Sequence, residues 1–204
     1  MTKTAKKTLI IGKLVTPAGT AKWAWLEKPD NSEFGKNKYK CALVLDKGVE
    51  KNDELVKKLR DLHKANKGKA DTSPVKDGDA MAEENEKNEA LRGKWLITAK
   101  SSNAPGLVDA AKKKLNKAPR SGDLVKLAVA IASYDTGANK GVTLYLNAVQ
   151  LLERRAQDGV DMFADESDEF GSDASDESND AADESDDNAD ANDSDNGSTR
   201  RGDY

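Results

Sequence analysis

Cysteine and histidine are nearly absent from this 204-residue chain, which has one of each. A lone thiol, Cys41, can form neither an intrachain disulfide nor a clustered cysteine zinc site, so no oxidised scaffold and no metal centre are expected. A lone imidazole, His63, leaves most acid–base and nucleophilic mechanisms without a base. It falls beside Leu59 and Leu62 at helical spacing, where a histidine at the margin of a core is the simpler reading. The strings G-x-x-x-x-G-K-[ST], G-x-G-x-x-G after a strand and G-x-S-x-G are missing. No catalytic residue and no cofactor are therefore expected. Long apolar runs are missing too: residues 8–15 are interrupted by Gly12 and Lys13, too short for a signal-peptide core or a membrane span, which reads as a soluble intracellular protein.

Hydrophobic residues make up 36% of the chain and aromatics 5%, too few for a globule of this length unless the polar residues are concentrated somewhere. They are. Residues 1–155 hold 31 Lys+Arg against 19 Asp+Glu, a net of +12, whereas residues 156–204 hold 2 against 18, a net of −16. The overall −4 hides a basic body and an acidic tail. Asp, Glu, Ser, Asn, Ala and Gly supply nearly all of the tail, a composition that buries too little apolar surface to offset its ordering entropy and so predicts disorder. The expected division is a folded domain over 1–155 and a disordered acidic tail over 156–204.

Within the body, residues 8–16, 22–27, 38–45, 94–100, 124–134 and 142–152 read as strands, the last two joined as a hairpin by the short turn-rich link 135–141. Tyr39, Cys41, Leu43 and Leu45 share one face of the third run, and Lys38 and Lys40 share the other. Leu55, Val56, Leu59, Leu62 and His63 recur at helical spacing, which predicts a helix over 52–67 with Asn52 as N-cap. Residues 69–90, with Pro74, Gly78 and few apolar side chains, read as a loop with at most a marginal helical turn. This order predicts a mainly β fold: an OB-like small closed barrel with one helix between strands.

Single-stranded nucleic acid is held by a positive groove that tracks phosphates and by aromatic faces on which bases stack. Trp23 and Trp25, two apart on one strand, are followed by Phe34, Lys36, Lys38, Tyr39 and Lys40. Lys100, Lys112, Lys113 and Lys114 form a second basic group. The best stacking candidates are Trp25, Phe34 and Tyr39, although Tyr39 shares its face with Leu43 and is equally a core candidate. Trp95, Tyr145 and one of Trp23 and Trp25 are expected to pack in the core. The same composition also fits an acidic-tailed RNA-binding, protein-interaction or chaperone module.

The order of particular strings carries a resemblance. Trp25-Leu26-Glu27-Lys28-Pro29 is followed by Gly35 and Lys38-Tyr39, by the helix, by Ile97-Thr98-Ala99-Lys100-Ser101 and by Pro105-Gly106-Leu107-Val108-Asp109. Ser121-Gly122-Asp123-Leu124-Val125 comes next, and the body closes on Gly141-Val142-Thr143-Leu144-Tyr145-Leu146-Asn147-Ala148-Val149-Gln150. This pattern, over about residues 8–153, resembles the single-stranded DNA-binding proteins of tailed bacteriophages, which join an OB-fold barrel to an acidic tail. The resemblance implies sequence-independent coating of single-stranded DNA during phage DNA replication, recombination and repair in the bacterial host cytoplasm, often as a homodimer. It also implies an acidic tail that recruits a replicative DNA polymerase and a helicase or primase, while the tethering of a −16 tail to a +12 body predicts that the tail competes with DNA. Such tails end in an aromatic residue after acidic ones. Here Arg200 and Arg201 precede the terminal Tyr204, and Phe163 and Phe170 offer internal acidic–aromatic stretches.

Overall fold

The computed structural model describes residues 7–33 and 35–155. Eight strands carry the fold: β1 (Lys7–Val15), β2 (Gly19–Asp30), β3 (Lys38–Asp46), β4 (Val75–Asp77), β5 (Lys94–Ser101), β6 (Gly106–Val108), β7 (Leu124–Asp135) and β8 (Lys140–Glu153). Antiparallel β2–β3 and β3–β5 ladders are followed by a parallel β5–β8 contact and the long β7–β8 hairpin, and β7 returns to β2. Five strands thus close into a ring, in the order β7, β2, β3, β5, β8. The fold is mainly β and OB-like, as the strand pattern predicts. Two short strands add to the ring, β4 on β5 and β6 on β8, while β1 lies against β7.

The interior of the ring follows from strand alternation. Cys41, Leu43 and Leu45 of β3 meet Ile97 and Ala99 of β5, Val125, Leu127, Val129 and Ile131 of β7, and Val142, Leu144 and Leu146 of β8. Cys41 has no exposed surface, and burial pushes its thiol pKa up to about 12, so it is a small apolar filler and not a nucleophile.

Helix α1 (Glu50–Ala65) connects β3 to the second half of the ring and covers one end of the core. Its inward stripe is Asn52, Val56, Leu59 and His63, spaced as one face of a helix requires. The N-cap is Val49, which offers no side-chain cap, and not Asn52. Asn52 instead sits inside the first turn and donates from Nδ2 to the Asp46 carbonyl at 2.9 Å, tying the helix to the end of β3. Asp53 completes the junction by accepting Gly48 N–H at 2.9 Å and the Trp95 indole N–H at 2.7 Å. Trp95 lies half-buried between the Lys47 ammonium and the Arg60 guanidinium, 4.2 and 4.3 Å from its ring centre, and so serves packing as expected.

Residues 69–90 are more ordered than the sequence suggests. They hold a 3-10 turn (Ala70–Thr72), β4, helix α2 (Gly78–Glu84) and a second 3-10 stretch (Glu86–Leu91). Few apolar residues are needed, because polar caps and small residues do the work. Asp77 accepts Asp79 N–H at 3.0 Å, Asn85 accepts Lys87 N–H at 3.0 Å, and Ala82 and Leu91 are the buried anchors. Gly78 approaches the Leu91 carbonyl so closely that a Cβ would lie 2.0 Å from its oxygen.

His63 joins the end of α1 to the tip of the β7–β8 hairpin. Its Nδ1 accepts Val142 N–H at 3.1 Å, and Nε2 faces the Lys69 carbonyl at 2.8 Å, so the neighbours select the tautomer with the proton on Nε2. The ring is clamped between two glycines. A Cβ on Gly68 or Gly141 would come within 2.2 or 2.4 Å of it, and Gly141 also has φ +140°. Gly141→Ala is expected to cost about 2–4 kcal/mol of stability through overpacking and backbone strain. Gly48→Ala, at φ +78° with open space around it, should cost about 1 kcal/mol. Urea unfolding of the two variants checks this, and equal losses would remove the histidine clamp as a determinant of stability.

Candidate nucleic-acid interface

Strand β2 is irregular where the aromatic residues occur. Its register with β3 slips between Lys22 and Trp25 and again between Trp25 and Asp30. Trp23 sits at φ +51°, a costly conformation for a bulky residue, and the bulge removes the simple alternation of faces. The result is that Trp23 and Trp25 are 43% and 45% exposed, so neither is the core residue that one of them was expected to be. The Lys22 ammonium lies over the Trp23 ring at 5.2 Å from its centre.

From Trp25 the ladder registers define a line across four strands: Trp25 faces Lys40, Lys40 faces Lys100, and Lys100 faces Tyr145. At about 4.8 Å per strand this line spans roughly 14 Å, with an aromatic residue at each end and two lysines between. Tyr145 is half-buried and on the side of β8 opposite Val142, Leu144 and Leu146, so it belongs to this surface and not to the interior as expected. The alternation of β8 already contained that signal, since Thr143 and Tyr145 occupy the outward phase.

Beside the line runs an open cleft of about 750 Å³, walled by the 3-10 turn and β4 on one side and by the β7–β8 hairpin on the other. Lys36, Lys38 and Lys100 line it, joined by Lys76, Tyr134 and Tyr145, with hydroxyls from Ser73, Thr98 and Thr143. Asp71 is the acidic residue in its lining. Lys76 is committed to the Asp71 carbonyl at 2.6 Å, and Lys38 donates to the Ser102 hydroxyl at 2.9 Å. Lys36, at φ +51° in the β2–β3 hairpin, and Lys100 have no ion-pair partner among the described residues. The pKa of Lys100 is lowered, first by partial desolvation and then by the like charges of Lys38, Lys36 and Lys40. Such a concentration of like charge in a concave surface makes a positive potential there that attracts anions.

Lys40 differs from its neighbours. Its ammonium lies 2.5 Å from the carboxylate of Asp30, which is buried and whose pKa this contact, helped by Ser32, lowers to about 2. Tyr39, the alternative core candidate, is half-buried and faces Ser101.

The structure brings Lys36, Lys38 and Lys100 together in the cleft and puts Trp25 and Lys40 beside it. Lys112, Lys113 and Lys114 lie elsewhere, exposed on a tight loop that Asp109 ties back by accepting Lys112 and Lys113 N–H groups. That loop follows β6, which meets β8 at Ala148–Gln150, roughly 10–17 Å further along the strand than Tyr145. Phe34, Phe163, Phe170 and Tyr204 lie outside the described residues, as does the expected tail boundary at 156. Sequence reasoning missed Lys76, Tyr134 and Asp30. Among the described residues no group of three His, Cys, Asp or Glu side chains could hold a metal ion, and no helix is long and apolar enough to cross a membrane.

No curated protein matches the sequence. Among solved structures, the single-stranded DNA-binding protein of bacteriophage Enc34, in complex with single-stranded DNA, superposes with a TM-score of 0.57 at 18% identity, over 72% of this chain and 88% of that one. The gp2.5 single-stranded DNA-binding protein of bacteriophage T7 superposes with a TM-score of 0.52 at 21% identity, over 74% of this chain and 97% of that one. These likenesses establish the shared fold. The family model described as the single-stranded DNA-binding protein of Enterobacter phage Enc34 matches residues 12–183, most of the chain, and the protein belongs to that family.

Proposed function

We propose that the body binds single-stranded DNA without sequence preference and without catalysis, across the line from Trp25 to Tyr145 and along the adjoining cleft. The observation that carries this reading is the alignment of two exposed or half-exposed aromatics with Lys100, which has no ion-pair partner among the described residues, beside the cleft that holds Lys36 and Lys38. Bases stack on Trp25 and Tyr145, with Trp23 flanking them, and Lys36, Lys38 and Lys100 neutralise phosphates; Tyr39, in the Cys41 phase of β3, is left to packing. Phe34, two residues before Lys36 in the sequence, is assigned to stacking as well. Lys112, Lys113 and Lys114 take the strand where it leaves along β8. The cleft accommodates one strand and presents no helix for a duplex groove, so discrimination against duplex follows from shape.

The family supports the wider role of coating DNA during phage replication, recombination and repair in the host cytoplasm. In this reading residues 1–155 are the binding domain. The acidic segment 156–204 competes with DNA for the basic body and offers Phe163, Phe170 and Tyr204 to a replicative polymerase and a helicase or primase. A homodimer would present two such segments at once.

Titrating full-length protein with oligo-dT by tryptophan fluorescence tests the core of this reading. Three phosphates neutralised by Lys36, Lys38 and Lys100 give a log–log salt slope of about −2 for a short oligonucleotide confined to the cleft, and a longer one that also reaches Lys112, Lys113 and Lys114 steepens it to about −4. Salt-insensitive binding, or tighter binding to duplex, would reject it. Trp25→Ala and Tyr145→Ala should each lose about 1–3 kcal/mol of binding while the protein stays folded, as judged by circular dichroism.

The lowered pKa of Lys100 adds a pH dependence with a definite sign. A phosphate favours the charged ammonium, so binding takes up a proton wherever free Lys100 is partly neutral. Affinity then falls as pH rises through that lowered pKa, before ordinary lysines titrate near about 10.4. Lys100→Arg should flatten this early fall. An unchanged pH profile in that variant would show that Lys100 does not meet phosphate.

A further inference from the structure

Asp30 is 2% exposed, yet it stands within the most basic part of the surface. Its Oδ2 accepts the Lys40 ammonium at 2.5 Å, and its Oδ1 accepts Ser32 N–H at 3.1 Å. The hairpin wraps around this carboxylate. Asn37 N–H donates to the Asp30 carbonyl at 2.9 Å, and Gly35 packs so closely that a Cβ would lie 2.1 Å from Asp30 Cγ. Register places Asp30 opposite Lys38, and Lys40 between Trp25 and Lys100. One lysine in the middle of the aromatic–lysine line therefore already has an anion, supplied by the protein itself.

We propose that Asp30 is a built-in substitute for a phosphate, which keeps Lys40 out of contact with the bound strand and so sets an upper limit on the affinity of the site. This rests on reading the line and cleft as the single-strand site. The reason the pair persists when DNA arrives is the asymmetry of burial. Surrendering Lys40 would leave an ionised carboxylate buried with no counter-ion and only the Ser32 N–H, which costs more than an ion pair with a phosphate in an open, hydrated cleft returns. While Lys40 stays in place, its ammonium holds the carboxyl at about 2, so the pair remains ionised near neutral pH. The rows of the line then have distinct duties. Lys100, together with Lys36 and Lys38, meets phosphate, while Lys40 and Asp30 form a neutral unit that shapes the hairpin carrying Lys36. A protein that must coat single strands and yet be displaced from them gains from such a limit.

The test uses the full chain and oligo-dT, with salt titrations of the wild type, Asp30→Asn and the double variant Asp30→Asn/Lys40→Gln. The Asn side-chain carbonyl can still accept Ser32 N–H, so the hairpin anchor is kept, and thermal unfolding verifies it. Asp30→Asn frees Lys40 for one more phosphate. Its log–log slope should steepen by about 0.7, with affinity higher by roughly fivefold to tenfold at about 50 mM salt. The double variant replaces one neutral unit with another, and its slope should equal that of the wild type. If Asp30→Asn is folded and its slope is unchanged, the proposal fails. If the double variant is shallower than the wild type by about 0.7, Lys40 contacts phosphate in the native protein and the proposal fails by that route, even should Asp30→Asn be too unstable to measure. Absence of oligo-dT binding by the wild type would instead reject the single-strand reading itself, and this limit with it.

Discussion

Strand β7 divides one edge between two partners, and the site depends on that division. Its first residues, Leu124 and Val125, pair with Thr20 and Gly19 of β2, while Ala128 to Asp135 pair with β1, and the whole opposite edge is taken by β8. The short contact with β2 is what turns an open sheet into a ring. Closure requires strands to tilt and stagger, so residues distant in sequence come into lateral register. Trp25, Lys40, Lys100 and Tyr145 lie on four strands, β2, β3, β5 and β8, that are successive neighbours within that ring. Buried carboxylates secure the junction. Asp123, fully buried at the entrance to β7, accepts Arg120 N–H at 2.8 Å and Arg155 N–H at 2.9 Å, and Thr16 accepts Leu127 N–H at 3.0 Å.

The ring alone does not make a cleft; the walls do, and they are joined through the core. One wall is the turn and short strand at 70–77, the other the hairpin tip at 134–143. His63 bonds to Lys69, which leads into the first wall, and to Val142, which is in the second. The histidine is thus the link that sets the distance between the walls, and its two glycine neighbours exist to let it fit. A residue with no role in chemistry acquires a role in geometry.

The strands of the ring and helix α1 were legible in the sequence because each has a strong period and buries the phase that the period predicts, as Cys41, Leu43 and Leu45 do. Residues 69–90 were not, because their order comes from side-chain caps such as Asp77 and Asn85 and from close approaches such as Gly78, none of which produces hydrophobic periodicity. The basic character of the site was legible as composition. Its arrangement was not. Lys40 reads in the sequence as one more lysine on an outward face, and only the fold reveals that Asp30, ten residues earlier, occupies it. Tyr145 was misread for a different reason: aromatic content favours the core, but the strand phase of β8 overrides that preference, and phase is the stronger physical signal.

The distribution of ion pairs explains why the positive potential concentrates where it does. Other cations are matched with nearby acids: Lys47 with Asp77 and Asp79, Lys94 with Asp46, Arg92 with Glu89, Lys140 with Asp135 and Arg155 with Glu153. Exposed pairs of this kind add little stability, but they cancel charge locally. Lys36 and Lys100 have no such match among the described residues, and Lys100 carries the cost as a lowered pKa. Of the net +12 of residues 1–155, the charges of Lys36, Lys38 and Lys100 are the part that one concave surface brings together. Charges this close together lie within one Debye length of about 8–10 Å of each other, so salt at ordinary strength screens their combined field only in part, and their position adds an attraction for anions that the total charge does not describe.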